Sequence, residues 1–277
     1  MNTPLVSIII PSYNRPHLLQ RAIKSVLKQT YSNLEIIVID DNSDKDLFCI
    51  IDQFKDERII YYRNKENKGA PYSRNRGIGV SKGNYINLLD DDDILLPQKI
   101  EVQLEKFQKS HIENLGVVVC DVEYRRKDIN EIKQNHCKGN IYEKLLRSYA
   151  IYGIHSMLIK RKYIVSFDTN LKSNQEYDLT IRLAKRCNFD FVPQTLARVF
   201  YSSNQISFNF PKKIKGTKYL FNKYRREFLN YGITFYIYNW LRFKFLLIKY
   251  YFFLFFGESQ VEGVINEIHK ILLNIFS

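Results

Sequence analysis

Four consecutive aspartates, Asp90 to Asp93, close the apolar stretch Tyr85–Leu89. Like charges at neighbouring positions repel unless a cation compensates them. Hard carboxylate oxygens suit Mg²⁺ or Mn²⁺ shared with phosphate oxygens. A divalent ion bridging a diphosphate neutralises a leaving group as it departs. The plainer reading is a solvated acidic turn in which Asp93 caps the next helix. Two more polar clusters follow apolar stretches in the same manner: Pro11-Ser12-Tyr13-Asn14-Arg15 after Leu5–Ile10, and Asp40-Asp41-Asn42-Ser43 after Leu34–Ile39. The segment Gly69–Gly77 joins a flexible entry and a helix start to two guanidinium groups, Arg74 and Arg76. Arginine forks match diphosphates or base edges, although alone the segment reads equally well as an ordinary helix start. No GxGxxG follows the first apolar stretch and no GxxxxGK[ST] occurs. A diphosphate would therefore be held by metal and side chains, without a glycine cradle.

Positioning these groups requires strands that end where they begin. Leu5–Ile10, Leu34–Ile39, Arg58–Tyr62 and Tyr85–Leu89 are short, β-branched or apolar runs, as expected of strands covered on both faces in a parallel sheet. Between the first two, His17–Thr30 puts Leu19, Ala22, Ile23, Val26 and Leu27 on one helical face. Ser73–Ser81 and Gln98–Ser110 are further helices, and the alternation predicts a doubly wound α/β domain. In such sheets ligands bind beyond the carboxyl ends of the strands, which is where all three polar clusters fall. Leu115–Cys120, Gly153–Lys160, Phe189–Val192 and Leu196–Tyr201 complete the predicted strands, with a helix through Tyr177–Arg186.

Composition narrows the class. The chain has 277 residues, 45% hydrophobic and 26% charged, which excludes disordered and low-complexity proteins. Cys49, Cys120, Cys137 and Cys187 are widely spaced with no CxxC pair, so zinc ribbons fail and reduced cytosolic thiols are expected. Leu5–Ile10 is too short for a signal peptide and lacks a basic region before it. The net charge of +13 is unevenly spread: residues 1–207 carry +6, while 208–256 carry ten basic and one acidic side chain and 19 of the 40 aromatics.

The motifs PSYNR, LEIIVIDDNS, NKGAPYSRNRGI and YINLLDDDD occur in order at matching strand ends. Together they resemble the family 2 glycosyltransferases, over about residues 4–205. HSMLIKRKYIVSFDTNL followed by NQEYDLTIRLAKR is similar to that family's acceptor-side segment. The resemblance implies a GT-A fold, a Rossmann-like and mostly parallel sheet flanked by helices. It implies transfer of a sugar from a nucleotide-diphosphate donor, a UDP-hexose or UDP-N-acetylhexosamine, to a saccharide hydroxyl with inversion, in polysaccharide synthesis. By resemblance, Pro11, Tyr13 and Arg15 lie along the nucleotide, Asp41 bonds the base, and Arg74 sits near base and diphosphate. Asp90-Asp91-Asp92 match the DxD element: Asp92, with Asp90, would hold Mn²⁺ or Mg²⁺, and Asp91 would contact the ribose. Alignment on LTIRLA puts Glu176 at the position of the catalytic base, with Asp178 as the alternative, whose competing reading is an exposed first-turn helix residue. Relatives often carry a histidine near Ser202; Tyr201-Ser202-Ser203-Asn204 has none, and His155 is a candidate substitute, or a structural imidazole. A nucleotidyltransferase, or a sugar-nucleotide or membrane-binding module that has lost its base, are the rival readings.

The expected organisation is a catalytic domain over 1–207 and a helical basic-aromatic extension over 208–277. Phe228–Leu241 and Phe245–Phe256 are too short and interrupted to span a bilayer. As a helix, Phe235–Phe256 suits the interface of an anionic membrane or, equally, a buried or homodimer contact. Nucleic acid ranks third, since no recognised motif accompanies the charge. With a lipid-linked saccharide acceptor, the enzyme would sit peripherally on the cytoplasmic face of the cell membrane.

Overall fold

The computed structural model describes residues 3–126, 129–171, 173–200 and 209–256. The chain divides into two compact units, Met1–Thr169 with Glu176–Ser202, and Asn170–Gln175 with Ser203–Ser277. The expected boundary at 207/208 and the segment Tyr201–Asn204 lie outside the described residues.

In the first unit, β1 (Val6–Ser12) and β2 (Leu34–Asp40) are buried at every position. Alternate side chains of a strand point to opposite faces, so both faces must be covered. Val6, Ile8, Ile10, Ile36 and Val38 join a core with Leu19, Ala22, Ile23 and Val26 of α1 (Pro16–Leu27). On the opposite face, α3 (Ala70–Val80) approaches so closely that a Cβ at Gly77 would lie 2.3 Å from Ile9 Cγ2. After β2 come a short α2 (Phe48–Asp52) and β3 (Ile59–Arg63), then, beyond α3, β4 (Tyr85–Leu88), β5 (Ile94–Leu95) and α4 (Lys99–Lys109). The strands β3, β2, β1 and β4 pair in parallel, in that order.

The rest of the unit is mixed: β6 (Leu115–Arg126), β7 (Ile129–Lys133), α5 (Tyr142–Arg147), β8 (Leu158–Lys160), α6 (Gln175–Ala184) and β9 (Asn188–Phe200). The sheet order is β3-β2-β1-β4-β8-β6-β9-β5, with β7 on β6. β8 runs antiparallel to both neighbours, while β6 and β9 are parallel. Three expectations change. The strand expected over Gly153–Lys160 starts only at Leu158, because Gly153 takes φ +75° and opens a 3₁₀ turn over Ile154–Ser156. The two strands expected at 189–192 and 196–201 are one strand. Its pairing jumps from Cys120↔Val192 to Asp121↔Thr195, a bulge where Pro193 has no N–H to give the ladder. β6 runs six residues past Cys120, and its polar outer end is paired by β7.

The second unit contains α7 (Phe210–Asn230) and α8 (Ile233–Phe256). They form an antiparallel hairpin, as the ring pairs Phe210–Phe253, Phe221–Phe243 and Phe228–Phe235 require. Gly232 (φ +105°) makes the turn. No described helix is long and apolar enough to cross a membrane.

Candidate active site

The parallel half of the sheet delivers its polar groups to one edge. Ser12, the last residue of β1, donates from its hydroxyl to Asp91 Oδ2 (2.7 Å). Arg15, at the start of α1, lies between Asp91 Oδ1 (3.2 Å) and Asp92 Oδ2 (3.1 Å). Arg21, one and a half turns further on, donates to the Asp92 carbonyl and stacks over Phe200, 3.9 Å from the ring centre. Pro11 is not in the loop; it is a buried β1 residue paired with Ile39. Tyr13 is 42% exposed at the tip of the turn, where Asn14 (φ +54°) is tied to the loop after β2 through Ser43 and Asp44.

At the end of β2 the two aspartates diverge. Asp40 is wholly buried and accepts from Ser43 and Tyr61. Asp41 accepts from Asn64 Nδ2 (2.7 Å) and from the backbone N–H groups of Lys68 (3.0 Å) and Gly69 (2.6 Å). It thereby fixes the loop that leads into α3. Gly69 there takes φ +85°, which only glycine adopts without strain.

α3 carries Arg74 inward. The Arg74 side chain is 5% exposed, yet its guanidinium reaches Asp90 Oδ1 (2.5 Å) and Glu176 Oε1 (3.6 Å) and stands over the Phe167 ring. Asn75 holds Phe167 by a reciprocal pair of hydrogen bonds, 2.9 and 2.6 Å, to its backbone carbonyl and N–H. That pair ties the 167 region to α3. Arg76 turns away, donating to the Arg63 carbonyl and to Asn64 Oδ1. Ser12, Asn64, Asn75 and Phe167 escaped the sequence reading. All four lie in or beside the quoted motifs, but nothing in residue type marks a hydroxyl or amide as a bridge between distant loops.

The run Asp90–Asp93 is not a solvated turn. Asp93 is buried and caps no helix: its carboxylate lies 3.2 Å from His155 Nδ1 and accepts from the Phe200 N–H (3.3 Å). His155 is likewise buried, under Gly153, where a Cβ would lie 2.4 Å from the imidazole. Burial pushes the Asp92 carboxyl up to about 7, with Asp93, Asp90 and Asp91 adding to the effect and Arg15 opposing it. Burial also pushes Asp91 up to about 6, against the Ser12 hydrogen bond and Arg15. Asp93 is raised by burial and moderated by His155. Asp90 goes the other way: burial works to raise it, but the Arg74 charge and hydrogen bond hold it below the ordinary carboxylate range. The cluster is thus short of positive charge. Asp90, Asp92 and Asp93 each offer an oxygen, all within 4.8 Å of one another. Hard oxygens, close together and under-neutralised, fit a divalent cation.

α6 brings Glu176 to Arg74 and turns Asp178 away from that pairing. Asp178 is fully buried, not an exposed first-turn residue, and its carboxylate takes two contacts from Arg182, at 2.8 and 2.7 Å. Glu176 remains about one-third exposed.

This arrangement can be set beside known proteins. WfgD of Escherichia coli, named a UDP-Glc:alpha-D-GlcNAc-diphosphoundecaprenol beta-1,3-glucosyltransferase, is 32% identical over 219 residues, covering 74% of this chain and 82% of WfgD. The uncharacterized glycosyltransferase MJ1057 of Methanocaldococcus jannaschii is 30% identical, covering 91% of this chain and 89% of that protein. The chain spans only about a third of the length of a Rickettsia bellii uncharacterized glycosyltransferase, to which it is 29% identical over 84% of its own residues. The S. aureus TarS 1–349 structure in complex with UDP-GlcNAc superposes with a TM-score of 0.67 at 13% identity, covering 94% of this chain and 75% of that one; the two share the GT-A fold. The model of the Glycosyl transferase family 2 matches residues 7–167, which include Arg15, Asp41, Arg74 and the whole aspartate run: the chain belongs to glycosyl transferase family 2.

Proposed function

We propose that this protein is an inverting glycosyltransferase. It moves a sugar from a UDP-hexose or UDP-N-acetylhexosamine to a hydroxyl of a lipid-linked saccharide, in cell-surface polysaccharide assembly on the cytoplasmic face of the membrane. The observation that carries the reading is Arg74, one buried guanidinium shared by Asp90 of the aspartate run and Glu176 of α6. It sets a candidate base beside the candidate donor-binding edge, as a single displacement requires. The name of WfgD, with its UDP-sugar donor and diphospholipid acceptor, supports the donor and acceptor classes assigned here. The TarS complexes with UDP and UDP-GlcNAc support the donor class alone.

Each residue then has a task. Asp41 has three of about four acceptor sites taken and offers the last to a ring N–H of the base. Tyr13, exposed at the loop tip, covers the base, and Arg15 holds Asp91 and Asp92 for ribose and metal. A bound Mn²⁺ or Mg²⁺, held by Asp92, Asp90 and Asp93, would supply Lewis-acid neutralisation of the diphosphate. Glu176 removes the acceptor proton as the hydroxyl oxygen attacks the anomeric carbon opposite the diphosphate. The C–O bond to the diphosphate breaks with its electron pair, and configuration inverts. Asp178, engaged by Arg182, is left a structural role. The basic-aromatic segment 208–256 keeps the enzyme at the membrane surface.

The test is UDP release and product configuration, measured with UDP-hexoses and an N-acetylglucosaminyl diphospholipid. We expect an inverted product, and Glu176→Gln to lose roughly 100-fold or more in turnover. A retained configuration, or full activity of Glu176→Gln, overturns the mechanism.

A further inference from the structure

The helix α8 exposes an apolar face interrupted by a single lysine, Lys244. Ile233, Ile237, Trp240, Ile248, Phe252 and Phe255 are 64, 47, 41, 53, 46 and 74% exposed. At 100° per residue they fall within a sector of roughly 120°, and the stripe is about 33 Å long. The opposite side of the helix, Phe235, Asn239, Phe243 and Phe253, is buried, with Phe228, Phe221 and Phe210 of α7 supplying ring partners. The outward stripe is therefore not surplus core. An apolar surface of this length marks a contact site.

Charge decides what covers it. α8 has no acidic residue, and the segment 208–256 carries ten basic side chains and one acidic. A second copy docked face to face would bring two such strongly positive hairpins together. An anionic lipid surface has the opposite sign and an apolar layer beneath its headgroups. Lys244 lies within the stripe, its ammonium 5.5 Å from the centre of the Trp240 ring. A lysine stem of that length reaches headgroups while its helix lies lower. We propose that α8 lies in the plane of an anionic leaflet, with the Ile233–Phe255 stripe in the upper acyl region. The inference deepens the membrane reading of the proposed function by naming the face that enters the lipid.

Trp240 is the only tryptophan of the chain, so its fluorescence reports on the stripe alone. With the full chain and vesicles of phosphatidylcholine and phosphatidylglycerol, we expect a blue shift and quenching by lipids brominated near the carbonyl end of their chains. We also expect a much weaker effect with phosphatidylcholine alone. The double variant Ile237→Asp, Phe252→Asp should lower vesicle partitioning by roughly tenfold or more, with donor turnover on a water-soluble acceptor unchanged. Flotation with vesicles but no quenching means contact through charge only, and overturns the proposal. So does a blue shift that needs no vesicles and grows with protein concentration, the mark of a second copy. Failed transfer with intact quenching overturns the transferase reading and leaves this one standing.

Discussion

Binding of Mn²⁺ to the aspartate run should release protons, and more of them as pH falls. Only the ionised carboxylate is a strong ligand, and here two carboxyls titrate near neutrality. Asp92 is pushed up to about 7 and Asp91 to about 6, by burial first in both cases. Their side chains are 13% and 8% exposed, so solvent screening does little to soften the effect. From these values the metal-free site holds about 1.7 protons at pH 5.5, about one at pH 6.5 and about 0.1 at pH 8. Asp90, held low by Arg74, adds none, while Asp93, raised by burial against His155, adds to the acid end. The sign follows: raised carboxyl groups keep their protons as pH falls, so metal affinity is full only above about pH 8 and is lost progressively as pH falls through 7 and 6. Displacing the Asp92 proton alone should weaken Mn²⁺ binding about 30-fold between pH 8 and pH 5.5, and the protons of Asp91 and Asp93, driven off by the neighbouring cation, add to that. Titration calorimetry in two buffers of different ionisation enthalpy, at each pH, reads the proton count directly. Asp92→Asn should remove about three-quarters of the proton released at pH 6.5. Release that is near zero at pH 6.5, or the same at pH 6.5 and 8, would refute the reasoning that burial and mutual repulsion hold these protons.

Other outcomes separate roles within the fold. Asp178→Asn should lower stability by about 1–3 kcal/mol by leaving Arg182 without its carboxylate, visible as a lower melting temperature, while turnover per folded molecule stays within a few-fold of the wild type. Lys99 is fully buried with Gln103 Oε1 at 2.6 Å, and burial pushes its ammonium down to about 8. Because the folded value lies below the ordinary lysine value of 10.5, that group costs stability as pH falls from above 10 to 8. Lys99→Met should therefore gain about 2 kcal/mol at pH 7, after about 1 kcal/mol lost at Gln103, and flatten the alkaline pH dependence of chemical denaturation. Gly77→Ala forces a Cβ to 2.3 Å from Ile9. It should cost about 1–3 kcal/mol and reduce donor binding by moving α3 and Arg74, as isothermal titration with UDP would show.

What the sequence made legible is what local pattern encodes. The apolar runs ending at Ser12, Asp40 and Leu88 were readable because parallel strands are buried on both faces, and the motifs were readable because each follows such a run. The break at Gly153 and the single bulged strand through Pro193 were not, since both depend on what packs beside them. Nor was the state of Asp93. As a residue type it suits a helix cap, and only the fold shows it buried against His155, in the same oxygen cluster as Asp90 and Asp92. The pairing of Asp178 with Arg182 was in principle visible as an i, i+4 spacing, but its full burial was not.

The charge around the site implies an order of binding. Asp90, Asp91, Asp92, Asp93 and Glu176 bring five carboxylates together; Arg15, Arg21 and Arg74 bring three guanidiniums. With all five carboxylates ionised, at about pH 8 and above, the sum is negative. A nucleoside diphosphate is itself an anion, and at a partly buried site the repulsion is not screened by distance or salt. The arginines cannot relieve it, because each is already committed to a carboxylate or, for Arg21, to the Asp92 carbonyl. A divalent cation changes the sum by two and brings it to zero. The cation should therefore bind first, and UDP should bind at least tenfold more weakly without it. Adding UDP before Mn²⁺ in calorimetry at pH 8 should give little heat, and the reverse order a full isotherm. Equal UDP affinity with and without Mn²⁺ would mean that the guanidiniums swing from the aspartates to the diphosphate, and that the ion pairs seen at Arg15 and Arg74 are a resting arrangement exchanged on binding.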